Sequence, residues 1–423
     1  DPFGRAIHAL IAAGFALCLA TPNSVVEIAA GPLFAVALIR TPRHIGTWRS
    51  LLGRGVGLLV LAWFAWAALA LLWSGDRGLG LSELGQFRWV LVMLALWPVI
   101  ETRAMLVRVF AIGAALGVGV QVADLVGRSI PAFDFLAWDR KPGRVSGWWD
   151  PVVGGSLLVA VLGLHLPAAI TGRGWVRGIG IAGAAWTALG IALTGTRGAW
   201  LAAIGLVALA LLWAAWIAGR RALVPIMIAA VLAIIVAAAA SLTIGSQLGA
   251  RAEAAQSEIS RAIEERDFNS DTGARLLMAW KAGEAFADHP LHGVGTGGYM
   301  AWAYEDLERQ DIVTRAQIDD GSALGVRYIH PHAHNALLHV AATQGLIGLL
   351  LAGSVMGVAM RSSTRHVPGD GLPGERDGVT FALLGLLLVS AFDAVHINAQ
   401  TGAVLALLLV CRSPHRPAGG PAA

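Results

Sequence analysis

Four of the twelve histidines fall within ten residues, His330-Pro331-His332-Ala333-His334-Asn335-Ala336-Leu337-Leu338-His339. Two chemistries suit that density. An imidazole titrates near neutrality, so one histidine here could take the proton from a hydroxyl. Alternatively His332 and His334, with His289 or His292, could hold a metal, since His-x-His spacing does this on strands or in loops. No nearby carboxylate completes a zinc-like motif. Interfacial histidines without chemistry are the plain alternative.

Arginines form the second group. Arg197 lies in Thr194-Gly195-Thr196-Arg197-Gly198, a turn with almost no loop between two apolar runs. Held between small residues at a membrane edge, it could reach into a cavity or snorkel at the interface. Arg275 opens an amphipathic stretch, where the helix dipole does not favour a cation. With backbone N–H groups beside it, it could help bind an anion, or it could be a solvated surface residue. Arg144 sits in Arg144-Val145-Ser146-Gly147-Trp148-Trp149-Asp150-Pro151. The tryptophans there serve as an interfacial belt or stack on a sugar. Asp393 and His396, near the end of a later apolar run, could orient a histidine, help line a cavity, or simply form an interfacial turn. Gly293-Val294-Gly295-Thr296-Gly297-Gly298 reads as a tight loop joining helix to membrane, because no strand precedes it as a nucleotide loop requires.

The elements that must position these residues follow from composition. Of 423 residues, 56% are hydrophobic and 14% charged, whereas soluble domains have roughly 45–50% and 25%. This excludes a soluble globular enzyme and a disordered chain. Two cysteines, Cys18 and Cys411, exclude a disulfide scaffold and a thiol metal site. The apolar residues come in long blocks rather than alternating stretches, which disfavours an outer-membrane barrel. The fold class is therefore all-α, a polytopic helical membrane protein. Twelve spans are expected, at about 6–21, 24–39, 55–73, 86–100, 105–126, 151–171, 178–194, 199–218, 222–246, 335–360, 378–395 and 397–411. The first is read as a span and not a signal peptide. The chain divides into residues 1–246 with nine spans, a large polar segment at 247–334, and residues 335–423 with three spans and a short tail.

Placing the N-terminus in the cytoplasm puts 16 of the 31 basic residues, but only five acids, on that side. The positive-inside rule therefore sets both termini there. The 127–150 loop, the Arg197 turn and the 247–334 segment then share the outer face. Within that segment, 251–266 reads as a charged surface helix. Residues 273–288 read as an amphipathic helix with Ser270 or Asp271 as cap and Pro290 beyond its end. All but two of the basic residues are arginine, the lysines being Lys141 and Lys281. They do not cluster in one patch, so nucleic acid is not an expected partner.

At this point the sequence resembles the O-antigen ligase and polymerase superfamily of membrane glycosyltransferases. Thr196-Arg197-Gly198 looks like the family's turn ending in Ser/Thr-Arg-Gly. Arg275 through Leu276-Leu277-Met278-Ala279-Trp280 to Pro290, Gly293 and Gly295 looks like its Arg, apolar helix, Pro and Gly-x-Gly. His334-Asn335 with Leu337, Gln344, Gly345 and Gly348 looks like its His-Asn pair, apolar run and acid-or-amide-x-Gly. Arg144-Val145-Ser146-Gly147 resembles an earlier, looser segment. Gln344 stands where many members carry Glu, so no acid is available there.

The resemblance implies transfer of a glycan from undecaprenyl diphosphate at the periplasmic face of the bacterial inner membrane. In the ligase branch the acceptor is a lipid A-core hydroxyl, and this is the preferred reading; the polymerase branch extends another glycan. The expected partners are these two lipids and the surrounding membrane lipids. The donor then carries an activated leaving group, and catalysis needs a base and positive charge. His334 is the expected base. Arg197 and Arg275 are the expected diphosphate clamp, because guanidinium forks match phosphate oxygens, with Arg144 a weaker third. His332, Asn335 and Asp393 are expected in support. Fixed positive charge can do the work of a metal, so no metal or cofactor is expected. A transporter or an envelope scaffold is the alternative from another class. A transporter would usually show inverted repeats, broken helices or charges near mid-membrane, and few such charges are present, Glu27 and Asp124, both near span ends, being the main ones.

Overall fold

The computed structural model describes residues 1–52, 55–138, 144–218, 253, 256–268, 270–311, 314–316, 329–361 and 375–412. Every regular element among them is helical. We number the α-helices α1 (Pro2–Cys18), α2 (Asn23–Ile39), α3 (Thr41–Leu52), α4 (Val56–Leu69), α5 (Arg77–Gln86), α6 (Trp89–Leu96), α7 (Arg103–Ser129), α8 (Pro151–Thr171), α9 (Gly174–Leu193) and α10 (Arg197–Ala218). Then follow α11 (Asp271–Asp288), α12 (Tyr299–Arg309), α13 (Ala336–Arg361), α14 (Glu375–Val389) and α15 (Ala399–Arg412).

Among the described residues, six helical runs are long and apolar enough to cross a membrane: Val56–Trp73, Arg77–Ser129, Pro151–Thr171, Gly174–Leu193, Arg197–Ile217 and Ala336–Arg361. Shorter apolar helices lie at Pro2–Cys18, Asn23–Ile39, Asp377–Val389 and Ala399–Arg412. The chain is an all-α polytopic membrane protein. The expected spans 86–100 and 105–126 both fall in the Arg77–Ser129 run, and 222–246 lies outside the described residues. That run bends through a 3₁₀ turn at Trp97–Thr102, where Pro98 supplies no N–H.

Helix α8 is the hub. It is apolar around its whole circumference and buried along most of its length, as expected of a helix with no polar face. It packs mainly against α14 and α9. Small residues allow this. A Cβ at Gly163 would stand 2.5 Å from the Ala382 backbone nitrogen, and one at Gly180 would stand 2.4 Å from that of Ala169.

The expected continuous span at 335–360 is broken. Gly345 interrupts α13 with φ +65° and ψ −162°, a conformation that L side chains rarely adopt. The freed backbone groups are satisfied by the Pro290–Gly295 segment. Leu346 N donates to Pro290 O at 2.8 Å, Val294 N to Ala342 O at 2.8 Å and Gly295 N to Thr343 O at 3.0 Å. The glycine-rich loop thus fastens the segment carrying α11 and α12 onto the helix that follows the histidines. Gln344 completes the joint. Its Oε1 accepts from Trp63 Nε1 at 2.8 Å and its backbone carbonyl from Trp66 Nε1 at 3.0 Å.

Candidate active site

Three short segments carry the residues singled out above. The first is the turn before α10. Thr196 Oγ1 donates to Pro151 O at 2.9 Å, tying the turn to the start of α8. Arg197 follows, exposed, with Nη1 3.4 Å from Thr272 Oγ1 in the first turn of α11. The second is α11 itself. Ser270 caps it, accepting from Gly273 N at 2.9 Å. Arg275 is exposed one turn beyond Thr272, on the same helix face. The Arg197 turn therefore lies against the first turn of α11, the same end of the helix that carries Arg275.

The third segment is the histidine loop. His334 has φ +48°, the left-handed region that a non-glycine residue enters only at a cost. The ring centroids of His332 and His334 are 4.3 Å apart, and those of His330 and His334 are 5.2 Å apart, both pairs edge to face. Among the described residues, no group of three or more His, Cys, Asp or Glu side chains is arranged to hold a metal ion.

Asn335 explains how His334 meets Asp393. Its Oδ1 accepts from Leu338 N at 3.0 Å, capping α13, and its Nδ2 donates to Ala391 O at 3.1 Å. Ala336 N donates to Ser390 O at 2.7 Å. These bonds bring the end of α14 against the start of α13 and set Asp393 Oδ1 3.9 Å from His334 Nδ1. That is too long for a hydrogen bond, and Nδ1 is buried without a hydrogen-bond partner among the described residues.

Burial and then the charge of Arg275 push the His334 imidazole down to about 4. Burial, then neighbouring histidines, then Arg275 push His332 down to about 3. Burial raises the Asp393 carboxyl, with the Ala394 N–H and Arg275 opposing and Asp150 reinforcing. Near neutral pH His334 is an unprotonated acceptor. Arg275, although drawn from a different segment, lies close enough to act on all three groups.

These groups edge an open cleft of about 580 Å³. His332, His334 and Asp393 line one part, and Trp148, Asp150, Arg88, Gln86 and Asn398 line others. Arg197 and Arg275 are not among its lining residues, and neither is Arg144. Its backbone carbonyl accepts from Arg128 Nη1 at 2.9 Å, part of a knot around the fully buried Asp124. Asp124 accepts from Arg128 Nε at 2.8 Å, from Trp138 N at 2.9 Å and from Gly147 N at 3.1 Å. Asp124 fixes the loop, and Glu27 pairs with Arg88. Trp149 is buried with its N–H on Ala20 O, so of the two tryptophans it is a packing residue.

No local motif marks Arg88, Asp150 or the buried pair of Glu83 and His339, whose Oε1 and Nε2 are 3.2 Å apart. Glu83 and Arg88 flank the end of α5, and only tertiary contact brings them to the histidines.

Residues 182–353 match the family model described as O-antigen ligase. That segment, about two fifths of the chain, is similar to the O-antigen ligase and polymerase superfamily. It holds Arg197, Arg275, His332, His334, Asn335, the Gly293–Gly298 loop and the break at Gly345. Arg144 and Asp393 lie outside it. The O-antigen ligase domain points to a ligase- or polymerase-type glycosyltransferase role in O-antigen and lipopolysaccharide biosynthesis. No curated protein matches the chain.

Proposed function

We propose that the protein is an O-antigen ligase. It transfers a glycan from undecaprenyl diphosphate to a hydroxyl of lipid A-core at the periplasmic face of the inner membrane. The observation that carries this reading is the convergence of two arginines from separate segments with an unprotonated imidazole. Arg197 reaches the first turn of α11, and Arg275, on that helix, acts on His334 and Asp393.

The chemistry balances without a metal. The acceptor hydroxyl gives its proton to His334 as its oxygen bonds to the anomeric carbon. The bond from that carbon to the diphosphate oxygen breaks, and undecaprenyl diphosphate leaves with the electron pair. Arg197 and Arg275 stabilise the charge that grows on it, in the bidentate fashion open to guanidinium. Asp393 faces the imidazolium once it forms. Its separation from Nδ1 closes when substrates bind, as catalytic contacts often do. Direct displacement inverts the anomeric centre.

The test is reconstitution of the full chain with purified undecaprenyl-diphosphate glycan and lipid A-core, in excess chelator. Glycan on lipid A-core, with inverted linkage, is the expected result. Extension of glycan by glycan alone would instead make the protein a polymerase. Activity that returns only with an added divalent ion would reinstate a metal.

A further inference from the structure

A second concavity, of about 260 Å³, lies away from the histidine cleft. Trp73 at the end of the α4 run, His289 and His292 after α11, and Trp302 and Glu305 on α12 line it. Trp302 and Glu305 are three residues apart and share one helix face. Trp73 is held in place: its Nε1 donates to Gly293 O at 3.2 Å, and its ring meets His292 at 5.4 Å and Trp66 at 5.6 Å. Glu305 is exposed and forms no ion pair or hydrogen bond among the described residues. The Trp302 indole N–H and the His289 ring nitrogens are likewise without a hydrogen bond there.

We propose that this concavity is a saccharide-binding subsite that takes a neutral sugar ring of the glycan substrate. A sugar presents an apolar C–H face and a rim of hydroxyls. Rigid aromatic walls suit the face, and a carboxylate, an indole N–H and imidazoles suit the rim. The Glu305 carboxylate disfavours an anionic ligand such as a diphosphate, and the polar rim disfavours an acyl chain. The Gly293–Gly295 wall is bonded to Ala342 and Thr343 of α13. The subsite therefore sits roughly 10 Å along that helix from its histidine end, at 1.5 Å per residue. A glycan of a few sugars covers that distance, so one end can lie at His334 while another ring is gripped here.

The inference rests on the glycan-transfer reading, and the experiment separates the two. The probe is the free oligosaccharide released by mild acid from the donor lipid. Its contact with full-length protein in detergent is followed by saturation-transfer NMR, alongside transfer kinetics for Trp302→Ala and Glu305→Gln. Glu305 is exposed and has no partner among the described residues, so its variant tests the site even if Trp302→Ala fails to fold. The expected result is a sugar signal lost in both variants, with KM for one glycan substrate raised about tenfold, the equivalent of one lost stacking or polar contact, and kcat within about twofold. Unchanged binding and KM in Glu305→Gln, with wild-type transfer intact, would overturn the subsite and leave the function standing. Sugar binding that both variants abolish, with no transfer by wild type, would uphold the subsite and sink the function. Binding of tetramethylammonium with no glycan signal would make it a cation site and overturn the proposal.

Discussion

Two groups of histidines follow one another along α13 and its preceding loop, in opposite surroundings. His330, His332 and His334 sit on irregular backbone, partly open, with Arg275 and Asp393 near and the cleft in front. His339 is wholly buried on the helix, facing Glu83 at 3.2 Å and the edge of Tyr299. His396 joins it from the end of α14, stacked on Trp63 at 5.5 Å. The sequence shows four histidines in ten residues as one cluster. The structure divides them into imidazoles that a substrate can reach and imidazoles that hold helices together.

The largest expected effect breaks that division at its sharpest point. His334→Ala should reduce transfer by about 10²- to 10⁴-fold, the usual contribution of a general base, with insertion and thermal stability near parental. Purified His334→Ala turning over at the parental rate would reassign the base. His339→Ala should do the reverse. It removes a fully buried ring packed against Tyr299 and His396 and should cost roughly 2–5 kcal/mol of stability, as large-to-small changes in a core do, read as a lower denaturation temperature in detergent. The protein that remains folded should transfer at close to the parental rate. A deep loss of kcat with stability intact would move His339 to the reactive side.

A smaller effect is expected at the clamp. Arg197→Lys keeps the charge but removes the planar fork. We expect turnover about tenfold or more lower, the equivalent of one charge-assisted hydrogen bond, with the protein folded and inserted. Unchanged turnover and donor affinity would remove Arg197 from the diphosphate. Arg144→Gln keeps the backbone carbonyl that Arg128 holds and should leave both stability and turnover close to parental; a loss of turnover as deep as that of Arg197→Lys would place Arg144 in the clamp.

Much of the site was legible from the chain because its parts are short and local. Ser270 before an amphipathic run, Pro290 after it, and glycines where the loop turns gave α11 and its exit almost to the residue. Arg197, Arg275 and His334 could be named from residue type and order. Contacts between distant segments were not legible. Asn335 gave no sign that it fastens α13 to α14, and nothing near Glu83 marks it as the partner of His339. The break at Gly345 was hidden because one glycine barely alters the hydropathy of a long apolar run, and the donors and acceptors that compensate for it sit near residue 290. Gln344 followed the same pattern: its role as acceptor for two tryptophans of α4 depends on a contact that no local motif encodes.

The most delicate test reads the field that separates the two groups of histidines. His334 is pushed down to about 4 by burial first and then by Arg275, with His330 and His339 adding to the shift, while the Asp393 carboxyl faces the same ring. The neutral ring is the base, so its activity should persist as pH falls through 6.5 and decline only toward 4. Stability should behave differently. Between 6.5 and about 4 the unfolded chain takes a proton on this residue and the folded chain does not, so acidification destabilises the fold across that window, and His334 adds no further loss below it. Arg275→Gln removes one cause of the shift and leaves the burial. The acid limb of the normalised rate profile should therefore move upward, part of the way toward 6.5. Arg309→Gln, on α12, serves as the control and should leave the limb in place. If Arg275→Gln lowers the rate without moving the limb, Arg275 touches the diphosphate but not the base, and His334 owes its neutral state to burial and its histidine neighbours.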